Sequence, residues 1–154
     1  MLHVEIEIKT MKVNEHGYGI RDNSYNAAGR LAGITCLVDN FFSNMDAFPE
    51  AKTIREMHPQ DLTESRKKLT YFLSGWLGGP KLYQQHYGGI SIPEVHKHLA
   101  IGETERDAWL LCMQKAIDAQ QYLGSFKEYL FAQLKIPAER VKQKCATNSN
   151  NWAQ

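Results

Sequence analysis

The stretch Val95 to Met113, V-H-K-H-L-A-I-G-E-T-E-R-D-A-W-L-L-C-M, decides how the chain is read. His96 and His98 are two residues apart, which on a helix places them about 200° apart around the axis. They cannot grip one metal together, so a metal bound here would receive a single imidazole. A short helix from Pro93 is expected to carry His96. Gly102 breaks it, and the acids Glu103 and Glu105 favour the start of the next helix through the macrodipole. That helix is expected to run to about Tyr122, with Trp109, Cys112, Met113, Ala116 and Ile117 facing inward.

Working outward, Leu31 to Met45 reads as a helix with Ile34, Leu37, Val38, Phe41, Phe42 and Met45 on one stripe. Pro49 suits the first turn of a short helix from Glu50 to Met57, which His58-Pro59 ends. Asp61 with Glu64 three residues on predicts a capping box. The helix behind it carries Ser65, Leu69, Phe72 and Trp76 at helical spacing and stops at Gly78-Gly79-Pro80. Leu82 to Ile92 is expected to be irregular. After Gly124, the residues Phe126, Leu130, Leu134 and Val141 mark a last helix, which Pro137 should kink or split. Near the start, Gly17, Gly19, Asp22, Asn23 and Ser24 make a loop in which Ser24 caps a turn at Tyr25–Ala28. Residues 2–10 alternate as a strand would, yet no second strand is available to pair with them, so they read as a loosely packed extension. From Thr147 the chain becomes a polar tail. The fold class is all-α.

At 154 residues the chain fits one domain. Its 43% hydrophobic and 23% charged residues are those of an ordinary globule, and a net charge of +1 gives no footprint for nucleic acid. No apolar run approaches the roughly 18 residues of a membrane span. The start, M-L-H-V-E-I-E-I-K, is acidic where an export signal is basic and then apolar, so a cytoplasmic location is expected. Cys36, Cys112 and Cys145 form no C-x-x-C pair, which removes zinc-ribbon, thioredoxin-like and covalent haem-attachment readings.

The run His96-Lys97-His98-Leu99-Ala100-Ile101-Gly102-Glu103, followed by Glu105-Arg106-Asp107-Ala108-Trp109-Leu110-Leu111-Cys112-Met113, resembles the proximal-histidine region of group II truncated haemoglobins. So does Phe72-Leu73-Ser74-Gly75-Trp76-Leu77-Gly78-Gly79-Pro80-Lys81-Leu82-Tyr83. The likeness covers roughly Ser24 to Lys142. It implies a truncated globin-like, two-over-two helical sandwich enclosing haem b held without covalent attachment. The corresponding division is an extension at 1–23, a globin domain at 24–146 and a tail at 147–154.

His96 falls on the family's proximal position, as the iron ligand. A lone histidine is more often a surface or satisfied polar residue, and it is the flanking motif that reverses those odds. The second ring nitrogen of such a ligand should donate to a backbone carbonyl, fixing the tautomer. Trp109 would line the distal pocket, where its indole can only donate a hydrogen bond; in isolation it would be read as core. His58 matches a position where the family has an aromatic or a histidine facing the ligand, so it is a candidate distal sixth ligand. Phe42 stands where the family usually has tyrosine, which removes a hydroxyl from the pocket. Ser65 falls at the distal gate, and Leu69, Phe72 and Met113 are assigned to the haem walls. Lys68, Arg66 and Tyr83 are candidates for the propionates. Val95 replaces a common arginine before the proximal histidine, and Gly89-Ile90 replaces a common His-Pro.

The resemblance implies a haem protein that binds oxygen or another diatomic ligand, with His58 as an internal competitor. The alternative is haem-dependent turnover of nitric oxide, peroxide or reactive nitrogen species. That reading requires a separate reductase, because the chain carries no glycine-rich dinucleotide fingerprint. A haem-free helical interaction module would leave the His96 and Trp109 motifs unexplained. Protein purified from cells supplied with haem should therefore show the intense violet absorption band of the pigment in proportion to protein. A colourless product that takes up no haem on titration would overturn the reading.

Overall fold

Apolar residues recurring every three or four positions give each long segment one face to bury, and the helices satisfy those faces by stacking in two pairs. The computed structural model describes residues 16–89 and 92–152. In chain order the elements are α1 (Asn23–Ala27), α2 (Arg30–Ala47), a 3-10 turn (Pro49–Ala51), α3 (Lys52–Glu56), α4 (Thr63–Trp76), α5 (Leu82–Tyr87), α6 (Ile92–His96), α7 (Glu103–Asp118) and α8 (Gly124–Trp152). Among the described residues there is no strand. Helix α2 packs on α4, α7 packs on α8, and α2 against α7 joins the two pairs. This is the two-over-two arrangement. The short α6 lies along α8.

The core follows the stripe read from the sequence. Ile34, Leu37, Val38, Phe41 and Met45 of α2 meet Leu73 of α4, Cys112, Met113 and Ile117 of α7, and Phe126, Leu130 and Leu134 of α8, all buried. Each such side chain contributes about 1.5–3 kcal/mol on leaving water. At the head of α7 the Glu105 carboxylate accepts the Gly102 N–H at 3.0 Å, satisfying a helix-end donor.

Several local expectations yield to tertiary contacts. Leu82–Tyr87 is helical, although the glycine-containing stretch Leu82 to Ile92 reads as irregular. Helix α7 stops at Asp118, because Tyr122 turns inward to donate its hydroxyl to the Ala28 carbonyl at 3.2 Å and to meet Phe126 edge-on. Helix α8 is unbroken across Pro137 and continues to Trp152, into the segment taken as a polar tail. The proline forfeits one backbone hydrogen bond there, while Leu134 and Val141 on either side stay buried. The Asp61–Glu64 capping box does not form. Asp61 instead accepts the N–H and hydroxyl of Thr63, at 2.9 and 2.7 Å, and Glu64 turns to the Tyr87 hydroxyl at 3.0 Å. Ser24 lies within α1, and its hydroxyl accepts the Gly19 N–H at 2.9 Å in place of capping a helix. Tyr18, within the segment read as an extension, is buried against Phe126 and Tyr129. The alternating residues 2–10 lie outside the described residues.

The Gly78-Gly79 turn seats α1 against the end of α4. Gly78 adopts a φ of +92°, and a Cβ there would overlap the Arg21 carbonyl; one on Gly79 would overlap the Tyr25 ring. The closeness lets the Tyr25 N–H donate to the Leu77 carbonyl at 3.0 Å. Gly78→Ala should cost about 1–3 kcal/mol from backbone strain and displacement of α1. Urea denaturation checks this, and an unchanged midpoint would show that the turn tolerates a side chain.

Candidate functional site

The stacked helices leave a cavity of about 500 Å³ where a solid core would otherwise continue. Its walls come from α2 through α8, with the connections after α3 and α6 completing them. Phe41, Phe42, Ile54, Met57, Leu69 and Phe72 form one apolar side, and Leu99, Ile101, Leu134 and Val141 another.

His96 ends α6 and faces this cavity half-buried. Its Nδ1 lies 2.7 Å from the Ile92 carbonyl oxygen. A carbonyl can only accept, so Nδ1 carries the proton and Nε2 keeps its lone pair for a metal. His98 is exposed and is not among the lining residues, as the angular argument requires.

His58 follows α3 and lines the same cavity. Its Nδ1 donates to the Ile54 carbonyl at 2.8 Å, repeating the His96 arrangement one helix away. Burial pushes the His58 pKa below its ordinary value of 6.5; the Ile54 bond opposes this, and the charges of Arg55 and His96 add to the lowering. At neutral pH its imidazole is therefore uncharged. The Phe42 ring stands edge-on to it at 5.7 Å. Phe41 bridges Phe42 and Trp109, 5.1 Å from each. Among the described residues the Trp109 indole N–H meets no acceptor, which leaves it available to a ligand in the cavity.

Polar groups gather at part of the margin: Ser65, Lys68, Tyr83, Glu105 and Arg106. The Lys68 ammonium sits 5.4 Å above the Tyr87 ring, and Tyr83 packs on that ring at 4.8 Å. Arg66, weighed as a propionate partner, turns instead toward Asp39 at 3.9 Å and does not line the cavity. Arg106 does line it, tied to Glu139 of α8 and to Asp107; the hydrogen bond to Glu139 does most to raise its already high pKa.

Of the residues singled out in the sequence, Phe42, His58, Ser65, Lys68, Leu69, Phe72, Tyr83, His96 and Trp109 all reach the cavity. Met113 does not. It lies one turn beyond Trp109 along α7 and packs, fully buried, into the core. Sequence reasoning passed over Arg106, although it precedes Trp109 by three residues and so shares its face. It also passed over Leu134, Ala138 and Val141, whose i, i+4, i+7 spacing marks one stripe of α8.

These residues fit haem b. The walls are apolar enough for a porphyrin, His96 supplies a neutral nitrogen, and Lys68 and Arg106 supply cations at the margin for carboxylates. Among the described residues no group of three or more histidine, cysteine or acidic side chains could hold a bare metal ion, so the donor set suits a metal bringing its own macrocycle.

Residues 23–141 match the family model described as bacterial-like globin. The chain is 35% identical over 121 residues to a group 2 truncated hemoglobin of Bacillus subtilis (strain 168), covering 77% of this chain and 89% of that protein. Among solved structures, the group II 2-on-2 hemoglobin of Agrobacterium tumefaciens superposes with a TM-score of 0.74 at 34% identity, covering 77% and 92% of the two chains. The cold-adapted truncated hemoglobin of Pseudoalteromonas haloplanktis gives 0.74 at 30% identity, covering 77% and 95%. A truncated haemoglobin of Bacillus subtilis described as oxygen-avid gives 0.70 at 34%, covering 77% and 97%. The two-over-two helical fold is thus shared with these proteins, and the chain belongs to the bacterial-like globins as a group II truncated haemoglobin with haem b as its cofactor.

Proposed function

We propose that this globin binds oxygen or another diatomic ligand opposite His96, and that His58 competes with that ligand for the same position. Haem, when bound, would supply an iron able to take a protein nitrogen and a small diatomic ligand. His96 offers that nitrogen, with its basicity supported by the Ile92 carbonyl. One observation carries the reading: two imidazoles line one cavity, each with its Nδ1 spent on the carbonyl four residues back. Each therefore has an Nε2 lone pair to offer. An internal ligand lowers apparent affinity by the fraction of time it occupies the site, so His58 would set how readily an external ligand enters.

The other polar group above the cavity is the Trp109 indole, because Phe42 and Leu69 bring only hydrocarbon. Trp109 would donate a hydrogen bond to a ligand carrying partial negative charge. Ser65 leaves a small side chain on the route between α4 and the interior. The free thiols Cys36, Cys112 and Cys145 suit a reducing cytoplasm, and no helix among the described residues is long and apolar enough to cross a membrane.

His96→Gly should abolish tight haem binding or replace the normal spectrum; retention of both would move the proximal role elsewhere. If His58 binds the iron, the ligand-free spectrum is six-coordinate and low-spin, and His58→Ala converts it to high-spin. A low-spin spectrum that survives this change counts against His58. Trp109→Phe removes a hydrogen bond of about 0.5–1.5 kcal/mol and should speed oxygen release about two- to tenfold. An unchanged off-rate in stopped-flow would reduce Trp109 to packing. Nitric oxide consumption measured with and without an added reductase separates a carrier from an enzyme.

A further inference from the structure

The short helix that ends at His96 is five residues long, and the segment 97–101 that follows is not helical. A helix of that length has no stability of its own. The orientation of the imidazole therefore depends on what anchors the segment from outside. The anchor is on α8. Cys145, buried at 1% exposure, donates its thiol hydrogen to the His96 carbonyl at 3.1 Å. The Leu99 N–H donates to the same His96 carbonyl at 3.0 Å, so that oxygen accepts both from the segment's own turn and from α8. Leu99 and Ile101 in turn line the cavity beside His96.

We propose that Cys145 is a positioning residue for the proximal histidine: its thiol ties the 96–101 segment to α8 and so sets the height and rotation of the His96 ring. The inference rests on the reading of His96 as the iron ligand. Cys145 lies on α8 beyond residue 141, where the match to the family model ends. A thiol suits the place because it both donates weakly and accepts weakly at one atom, and it packs as a small apolar group.

The test uses the full-length haem-loaded protein in four forms: wild type, Cys145→Ala, Cys145→Ser and Cys145→Val. Two quantities are read: the iron–histidine stretching band of the ferrous, ligand-free protein in resonance Raman, and the rate of haem transfer to excess apomyoglobin. Because a low-spin ferrous state would hide the band, the measurement is repeated in a His58→Ala background. Alanine and valine should shift or broaden the band and speed haem loss about three- to tenfold, the range that losing one net hydrogen bond gives. Serine, which keeps a donor, should restore most of both. A wild-type band and transfer rate in alanine and valine would overturn the proposal. So would equal damage in alanine and serine with recovery in valine, which would mean that Cys145 only fills space. Circular dichroism identifies any variant that fails to fold, and serine against valine then decides alone. His96→Gly keeps the two questions apart: an unchanged band in that variant would mean His96 is not the ligand, whatever Cys145 does.

Discussion

The hydrogen bond from His96 Nδ1 to the Ile92 carbonyl is the constraint on which the site depends. It consumes the one ring nitrogen that would otherwise make the tautomer ambiguous, and it leaves Nε2 aimed into the cavity with its lone pair intact. The bond is local, made within one turn, but the turn that makes it is too short to persist alone. Its persistence is borrowed from α8, against which α6 lies. The setting of the His96 ring thus depends on a helix that begins some thirty residues further along the chain.

The cavity explains why the two helix pairs can be so sparing. Phe41, Phe126, Leu130 and Leu134 make a closely packed centre on one side, while the cavity takes the place of further side chains on the other. A ligand that fills such a space binds the native state and not the unfolded chain, so haem stabilises the fold in proportion to its affinity. In this sense the cofactor is part of the core. The residues that wall it, Leu69 and Phe72 among them, serve packing and binding at once.

The side facing His96 departs from what the resemblance implies for the family. With Phe42 in place of tyrosine, the hydroxyl is gone, and edge-on contact with His58 takes its place. Burial keeps His58 uncharged, and an uncharged imidazole can accept as well as ligate. A phenyl ring, an imidazole and the Trp109 indole therefore line the cavity together. Arg106 closes another part of the margin through its ion pair with Glu139, linking α7 to α8 at the cavity.

The helices and the faces they bury were legible in the sequence because apolar spacing is a local property. The run around His96 and Trp109 carried the family resemblance for the same reason. What remained illegible was decided by contacts between residues far apart along the chain. Tyr122 ended α7 by reaching for the Ala28 carbonyl, Met113 sank one turn below the cavity, Pro137 stayed within a continuous α8, and Cys145 met a carbonyl 49 residues away. Sequence alone determined which surfaces needed burying and which imidazole could face a metal. Only the tertiary structure determined what each surface was buried against, because that choice is made by the space left between helices and no neighbouring residue encodes it.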